Sequence, residues 1–163
     1  FPVDNHISAF RFANEKNICC TAHAGEACGP SSVWEVLKEF HPSRIGHGVR
    51  SMEDPKLIEF LKQHDIHLEV CPTSNIKTGV YEAMEKHTAD DIYRSGVSMS
   101  INTDGRTITD VTLTHEYELM NRIFNWGVSH LRKCNIEAIR HSFASEETKK
   151  KIISLIEENY LQG

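Results

Sequence analysis

Four short stretches carry side chains able to do acid–base or metal chemistry: Thr21-Ala22-His23-Ala24-Gly25-Glu26, Arg44-Ile45-Gly46-His47-Gly48, Leu68-Glu69-Val70-Cys71-Pro72-Thr73-Ser74-Asn75 and Ser100-Ile101-Asn102-Thr103-Asp104-Gly105-Arg106. His23 offers the commonest metal-ligating group, and a carboxylate three residues on, at Glu26, can move a proton without binding the metal. His47 sits between Gly46 and Gly48, which let backbone and ligand approach closely and leave the imidazole unobstructed. Asp104 adds a carboxylate. Each has a plainer reading when taken alone. His23 could be hydrogen-bonded structure, His47 an incidental residue of a tight turn, and Asp104 the cap of a turn with Gly105 behind it. The third stretch offers hydroxyls and an amide and reads mainly as supporting loop. Glu69 could face either a neighbouring helix or the barrel interior. Taken together, His, Glu, His and Asp form a half-shell around one divalent ion, provided that the chain brings them to one end of one sheet.

The apolar pattern supplies such a sheet. Short β-rich runs at residues 17–24, 43–47, 66–71 and 97–103 each stop at a cluster of His, Gly, Pro, Asn or Asp. They alternate with helical patterns at 4–16, 31–40, 54–64 and about 87–95, in which apolar residues recur every three or four positions. Pro30, Pro42, Pro55 and Pro72 mark helix starts or loop exits, where no backbone donor is needed. Beyond the fourth run the pattern is helical at 113–124, 128–141 and 145–160, with Ser145 ahead of two acidic residues as a cap. Alternating βα units predict an α/β fold on a parallel sheet, with catalytic groups gathered at the C-terminal strand ends. Four units make half of a (β/α)8 barrel. A whole barrel takes about 250 residues, against 163 here. Half a barrel leaves two open sheet edges, so an isolated copy is expected to fold poorly or self-associate.

Composition narrows the function classes. A hydrophobic share of 39%, a charged share of 25% and the lack of a long apolar run exclude a membrane span. A net charge of −5 argues against nucleic acid or another polyanion as partner. Lys149, Lys150 and Lys151 read as a solvated helix face. Five cysteines without a C-x-x-C pair indicate neither a disulfide framework nor a cysteine zinc site, and suit the cytoplasm. Cys19, Cys20 and Cys71 fall in apolar runs and are expected in the core.

In order, these motifs resemble the adenosine deaminases of the metal-dependent amidohydrolase class, and the resemblance covers essentially all of residues 1–163. It implies the C-terminal half of a single (β/α)8 TIM barrel, with the N-terminal half absent from a chain that opens mid-pattern at Phe1. It also implies hydrolytic deamination of adenosine, and of 2'-deoxyadenosine, to inosine and ammonia by a zinc-activated water. On this resemblance His23 and Asp104 are zinc ligands, Glu26 gives a proton to the purine, and His47 orients or deprotonates the water. The family's first-strand His-x-His pair is missing here, so two of these ligands fall short of the three that a catalytic zinc usually keeps. The remaining ligands are expected from the missing half. Gly105 stands where many members carry a second Asp that binds the purine, and Arg106, Thr107 or a water could take its place. Gly46 matches the nucleoside-using branch, whereas adenine deaminases tend to place Asp there. The alternatives are an adenine or modified-adenosine deaminase of the same class, or an inactive half-barrel that acts only by association.

Overall fold

The computed structural model describes residues 3–160. Phe1, on which the reading of a missing segment partly rested, lies outside the described residues. Four parallel strands, β1 (Thr21–Ala24), β2 (Arg44–His47), β3 (His67–Val70) and β4 (Met99–Ile101), pair in chain order. The helices between them are α1 (Ile7–Glu15) before the sheet, then α2 (Pro30–Phe40), α3 (Pro55–Gln63), α4 (Pro72–Lys77) and α5 (Ala89–Ser95). After β4 come α6 (Arg106–Thr109), α7 (Leu113–Phe124), α8 (Val128–Arg140) and α9 (Glu146–Tyr160). The fold is α/β and is half of a (β/α)8 barrel, as the alternating pattern predicts.

Local chemistry accounts for these elements. Proline occupies the first turn of α2, α3 and α4, where its missing N–H would have had no partner. The Asp54 carboxylate caps α3 by accepting from the Lys56 N–H at 2.9 Å, and it also accepts from the Trp34 indole at 2.9 Å. Val33, Val36, Leu37 and Phe40 form the buried stripe of α2, and Leu57, Ile58 and Leu61 that of α3. Burial of each such side chain contributes about 1.5–3 kcal/mol. Ser145 accepts from the Thr148 N–H at 3.3 Å at the start of α9, the cap expected there.

The strand register sorts the two faces of the sheet. His23 pairs with Gly46, Gly46 with Glu69, and Glu69 with Ser100. The adjacent row of Ala22, Ile45, Leu68 and Met99 is buried against the helices. The core therefore lies on the helix side, and the opposite face, which is the barrel's interior, is polar. Glu69 belongs to that interior face, where it pairs with Arg44 at 3.2 Å and accepts from Thr21 at 3.0 Å. Lower on the same face, His67 bonds the Ser98 and Ser100 hydroxyls at 2.8 and 2.9 Å and stacks on His141.

Two expectations need correction. Cys19 is exposed and Cys20 only half-buried, because the first strand begins at Thr21 rather than at 17. Asn17 is left-handed, with φ 53°, and the Ile18 N–H turns back to the Ala13 carbonyl to close α1, so residues 18–20 join no ladder. Cys71 is buried as expected. The fourth interstrand helix begins at Ala89, since His87 is still extended.

Candidate active site

Each strand end delivers one part of the site through a sharply turned backbone. After His23 the chain turns at Gly25 (φ 67°), which carries Glu26 back over the sheet. His47 itself is left-handed, with φ 63°, and so is Asp104, with φ 57°. Such conformations cost about 1–3 kcal/mol each and persist only where the surroundings enforce them. At His47 the enforcement is visible. The Gly48 N–H donates to the Ala24 carbonyl and the Arg50 N–H to the Gly25 carbonyl, both at 2.9 Å, tying the ends of β1 and β2 together. Strict alternation would give His47 the face of Ile45, in the core. The left-handed turn breaks it, and the imidazole reaches the carboxylates above the sheet.

Gly46 has a more specific task than close approach of a ligand. A Cβ placed there would lie 3.0 Å from His23 Nδ1 and 3.2 Å from two ring carbons. The imidazole of His23 lies across the bare backbone of β2, edge-on to His47 with ring centroids 5.1 Å apart.

The four sequence-predicted residues converge. His47 Nε2 is 3.6 Å from Glu26 Oε2 and 3.8 Å from Asp104 Oδ2. Ligating atoms of His23, His47 and Asp104 all lie within 4.8 Å of one another. Burial lowers the His47 pKa, with the nearby Glu26 carboxylate opposing, so the ring is neutral at pH 7. The Ser74 hydroxyl donates to Asp104 Oδ2 at 2.7 Å and holds that carboxyl below its ordinary pKa. His23, Gly46, His47, Glu69, Cys71, Asn102 and Asp104 line a pocket of about 200 Å³. The His23 imidazole and the Asp104 carboxylate suit an ion of zinc's class, with His47 beside them. Ligand pairs on one zinc lie about 3.4 Å apart, so shifts of about an ångström would seat it.

The third stretch does more than support a loop. Pro72 opens α4 directly after β3, and this short helix points Ser74 and Asn75 at the site. Asn75 is fully buried and donates to Glu26 Oε1 at 3.0 Å and to His47 Nδ1 at 3.1 Å. Thr78 donates to Glu26 Oε1 at 3.3 Å. The signal for this helix was Pro72 immediately after an apolar run. Gly105 is exposed, and a Cβ on it would meet nothing nearer than 3.8 Å.

Comparison with known proteins finds relatives along almost the whole chain. The family model described as adenosine deaminase matches residues 2–159. An adenosine deaminase of Klebsiella pneumoniae is 33% identical over 156 residues, which span 96% of this chain and 47% of that protein. The chain thus spans about half the length of the curated relatives it matches. Among solved structures, the adenine deaminase of Arthrobacter aurescens superposes with a TM-score of 0.94 at 25% identity, over 99% of this chain and 49% of that one. The N6-methyl-AMP deaminase of Arabidopsis thaliana does so with a TM-score of 0.85 at 26% identity, over 96% and 46% respectively.

Proposed function

The chain belongs to the adenosine deaminase family, and from that premise we propose that the protein carrying it hydrolyses adenosine, and 2'-deoxyadenosine, to inosine and ammonia. The observation that carries this reading is the approach of Glu26 and Asp104 to one nitrogen of His47, with His23 alongside. His23 and Asp104 would hold a zinc ion together with ligands from beyond the described residues. When bound, zinc acts as a Lewis acid and makes hydroxide available near neutral pH.

The chain's own groups do the rest. Oε1 of Glu26 accepts from the Asn75 amide, which leaves Oε2 to carry a proton and give it to the purine ring. Proton transfer of this kind contributes about 10²- to 10⁴-fold in rate. Protonating the ring draws electron density from the carbon that bears the amino group. Water's oxygen bonds to that carbon, one of its protons passes to the amino group and the other restores Glu26, the C–N bond breaks, and ammonia leaves while the oxygen stays as the carbonyl. His47 and Asp104 keep the attacking oxygen on one side of the ring, a positioning effect worth several kcal/mol in general. All five cysteines are free, which fits a reducing compartment such as the cytoplasm. No helix of the described residues is long and apolar enough to cross a membrane.

Adenosine conversion by the complete protein, followed by ultraviolet absorbance, tests the proposal. Glu26→Gln should lower kcat by at least about 10², and full activity in that variant would refute the assigned role. A second reading, an adenine or N6-modified adenosine deaminase, is favoured by the open, bare backbone at Gly105. A kcat/KM for free adenine well above that for adenosine would establish it instead. A third reading is a half-barrel that acts only by association. It predicts no stoichiometric zinc and no turnover for the 163-residue chain alone.

A further inference from the structure

Behind the four candidate residues runs a buried chain of hydrogen bonds whose direction is fixed at one end. His87 is 3% exposed, and its Nδ1 lies 3.0 Å from the backbone N–H of Ala89. An amide N–H can only donate, so Nδ1 must accept and carries no proton. Burial depresses the His87 pKa to about 4, so the ring is neutral at pH 7 with its single proton on Nε2. That nitrogen is 3.2 Å from Asn75 Oδ1 and donates to it. The Asn75 amide is thereby oriented, its nitrogen facing Glu26 Oε1 and His47 Nδ1. A flipped amide would set two donors against each other in a buried pocket, at a cost of about 1–3 kcal/mol. Because the amide nitrogen carries only donors, His47 Nδ1 must accept and carries no proton, so the ring's one proton sits on Nε2. Nε2 is the atom that faces Glu26 and Asp104. Tyr81 closes this relay from outside, its ring 4.6 Å from that of His87 and its hydroxyl bonded to Thr88 at 2.8 Å.

We propose that His87 and Asn75 are positioning residues that hold His47 as its Nε2–H tautomer, so that His47 enters the reaction as a hydrogen-bond donor to the attacking oxygen rather than as its base. The proposal rests on the deaminase reading for its catalytic consequence, but the tautomer is a property of the resting protein. It also separates the two roles the resemblance left open for His47, in favour of orienting.

The test uses the complete protein with 15N-labelled histidine, metal-free for the NMR measurement and zinc-loaded for turnover. Long-range proton–nitrogen NMR correlations report which ring nitrogen of His47 carries the proton. The wild type should show Nε2–H. Asn75→Asp keeps the shape of the side chain but presents an acceptor to Nδ1, and should convert His47 to Nδ1–H. His87→Leu frees the amide to flip, and should give a mixture of tautomers with kcat down about ten- to hundredfold at little change in KM. His87→Gln can still donate to Asn75 and accept from Ala89, so it should restore both. If His87→Leu fails to fold, Asn75→Asp decides alone. A wild-type Nδ1–H signal, or an unchanged His47 tautomer in Asn75→Asp, overturns the proposal. Absence of purine deamination by the complete, zinc-loaded wild-type protein would sink the deaminase reading while leaving the tautomer measurement to stand separately.

Discussion

Replacing Gly46 with alanine isolates the placement of His23 from the stability of the fold. The backbone at Gly46 is not left-handed, so alanine brings no conformational strain, and the three atoms nearest the new methyl all belong to the His23 ring, at 3.0–3.2 Å. Relief requires that ring to move a few tenths of an ångström. A displaced ligand of this sort lowers metal affinity about 10- to 100-fold, or about 1.4–2.7 kcal/mol. The same change at Gly48 is the control. There φ is 66° and the methyl would lie 2.6 Å from Leu68 Cδ2, so strain and overpacking coincide. Together they cost about 3 kcal/mol, which lowers Tm by about 6–12 °C for a domain of this size. Zinc titration against a chromophoric chelator and thermal melts of the metal-free protein separate the two. Gly46→Ala should bind zinc weakly and melt almost normally, whereas Gly48→Ala should melt early. Wild-type zinc affinity in Gly46→Ala would refute the argument that the bare backbone of β2 seats His23.

His67 and His87 are buried and neutral, with pKa values pushed down to about 3 and about 4. The unfolded chain binds those protons below about pH 6.5, so stability present above that pH is lost as pH falls. The slope approaches 1.4 kcal/mol per pH unit for each residue. Urea melts at pH 7, 6 and 5 should record the decline, and a flat profile contradicts it. Gly105→Asp fits without strain and should lower the KM for adenosine about tenfold, one charged hydrogen bond's worth, in steady-state assays. No change would show that residue 105 does not contact the purine. β1 and β4 each have one unpaired edge among the described residues, so the 163-residue chain alone should elute as a dimer or larger by size exclusion with light scattering. A monomer at micromolar concentration would mean that the edges are covered.

The fold was legible because apolar period and punctuation agreed along most of the chain. The strand end at His47 followed directly from the residue cluster that stops its run, that of β3 to within one residue, and α2, α3 and α7 from their spacing. The start of β1 was less legible, because Ile18, Cys19 and Cys20 are as apolar as a strand yet precede the ladder. Convergence of His23, Glu26, His47 and Asp104 could be read from their shared place at strand ends. The supporting residues could not. Asn75 and His87 act through contacts between side chains 12 and 28 positions apart, and no local pattern carries pairing of that kind. The left-handed backbone at His47 and Asp104 was equally hidden, since glycine is the residue that normally signals it.

The two faces of the sheet also bear on how the barrel can be divided. The interior side of these strands is furnished with hydroxyls, imidazoles and the Arg44–Glu69 pair, while the strands' Ala22, Ile45, Leu68 and Met99 are already sealed under the helices. Parting such a barrel along β1 and β4 would wet groups that tolerate water and expose the backbone edges of those two strands. Two halves could then rejoin in solution by strand pairing, which makes this seam a natural one for reconstituting the full barrel from separately produced pieces.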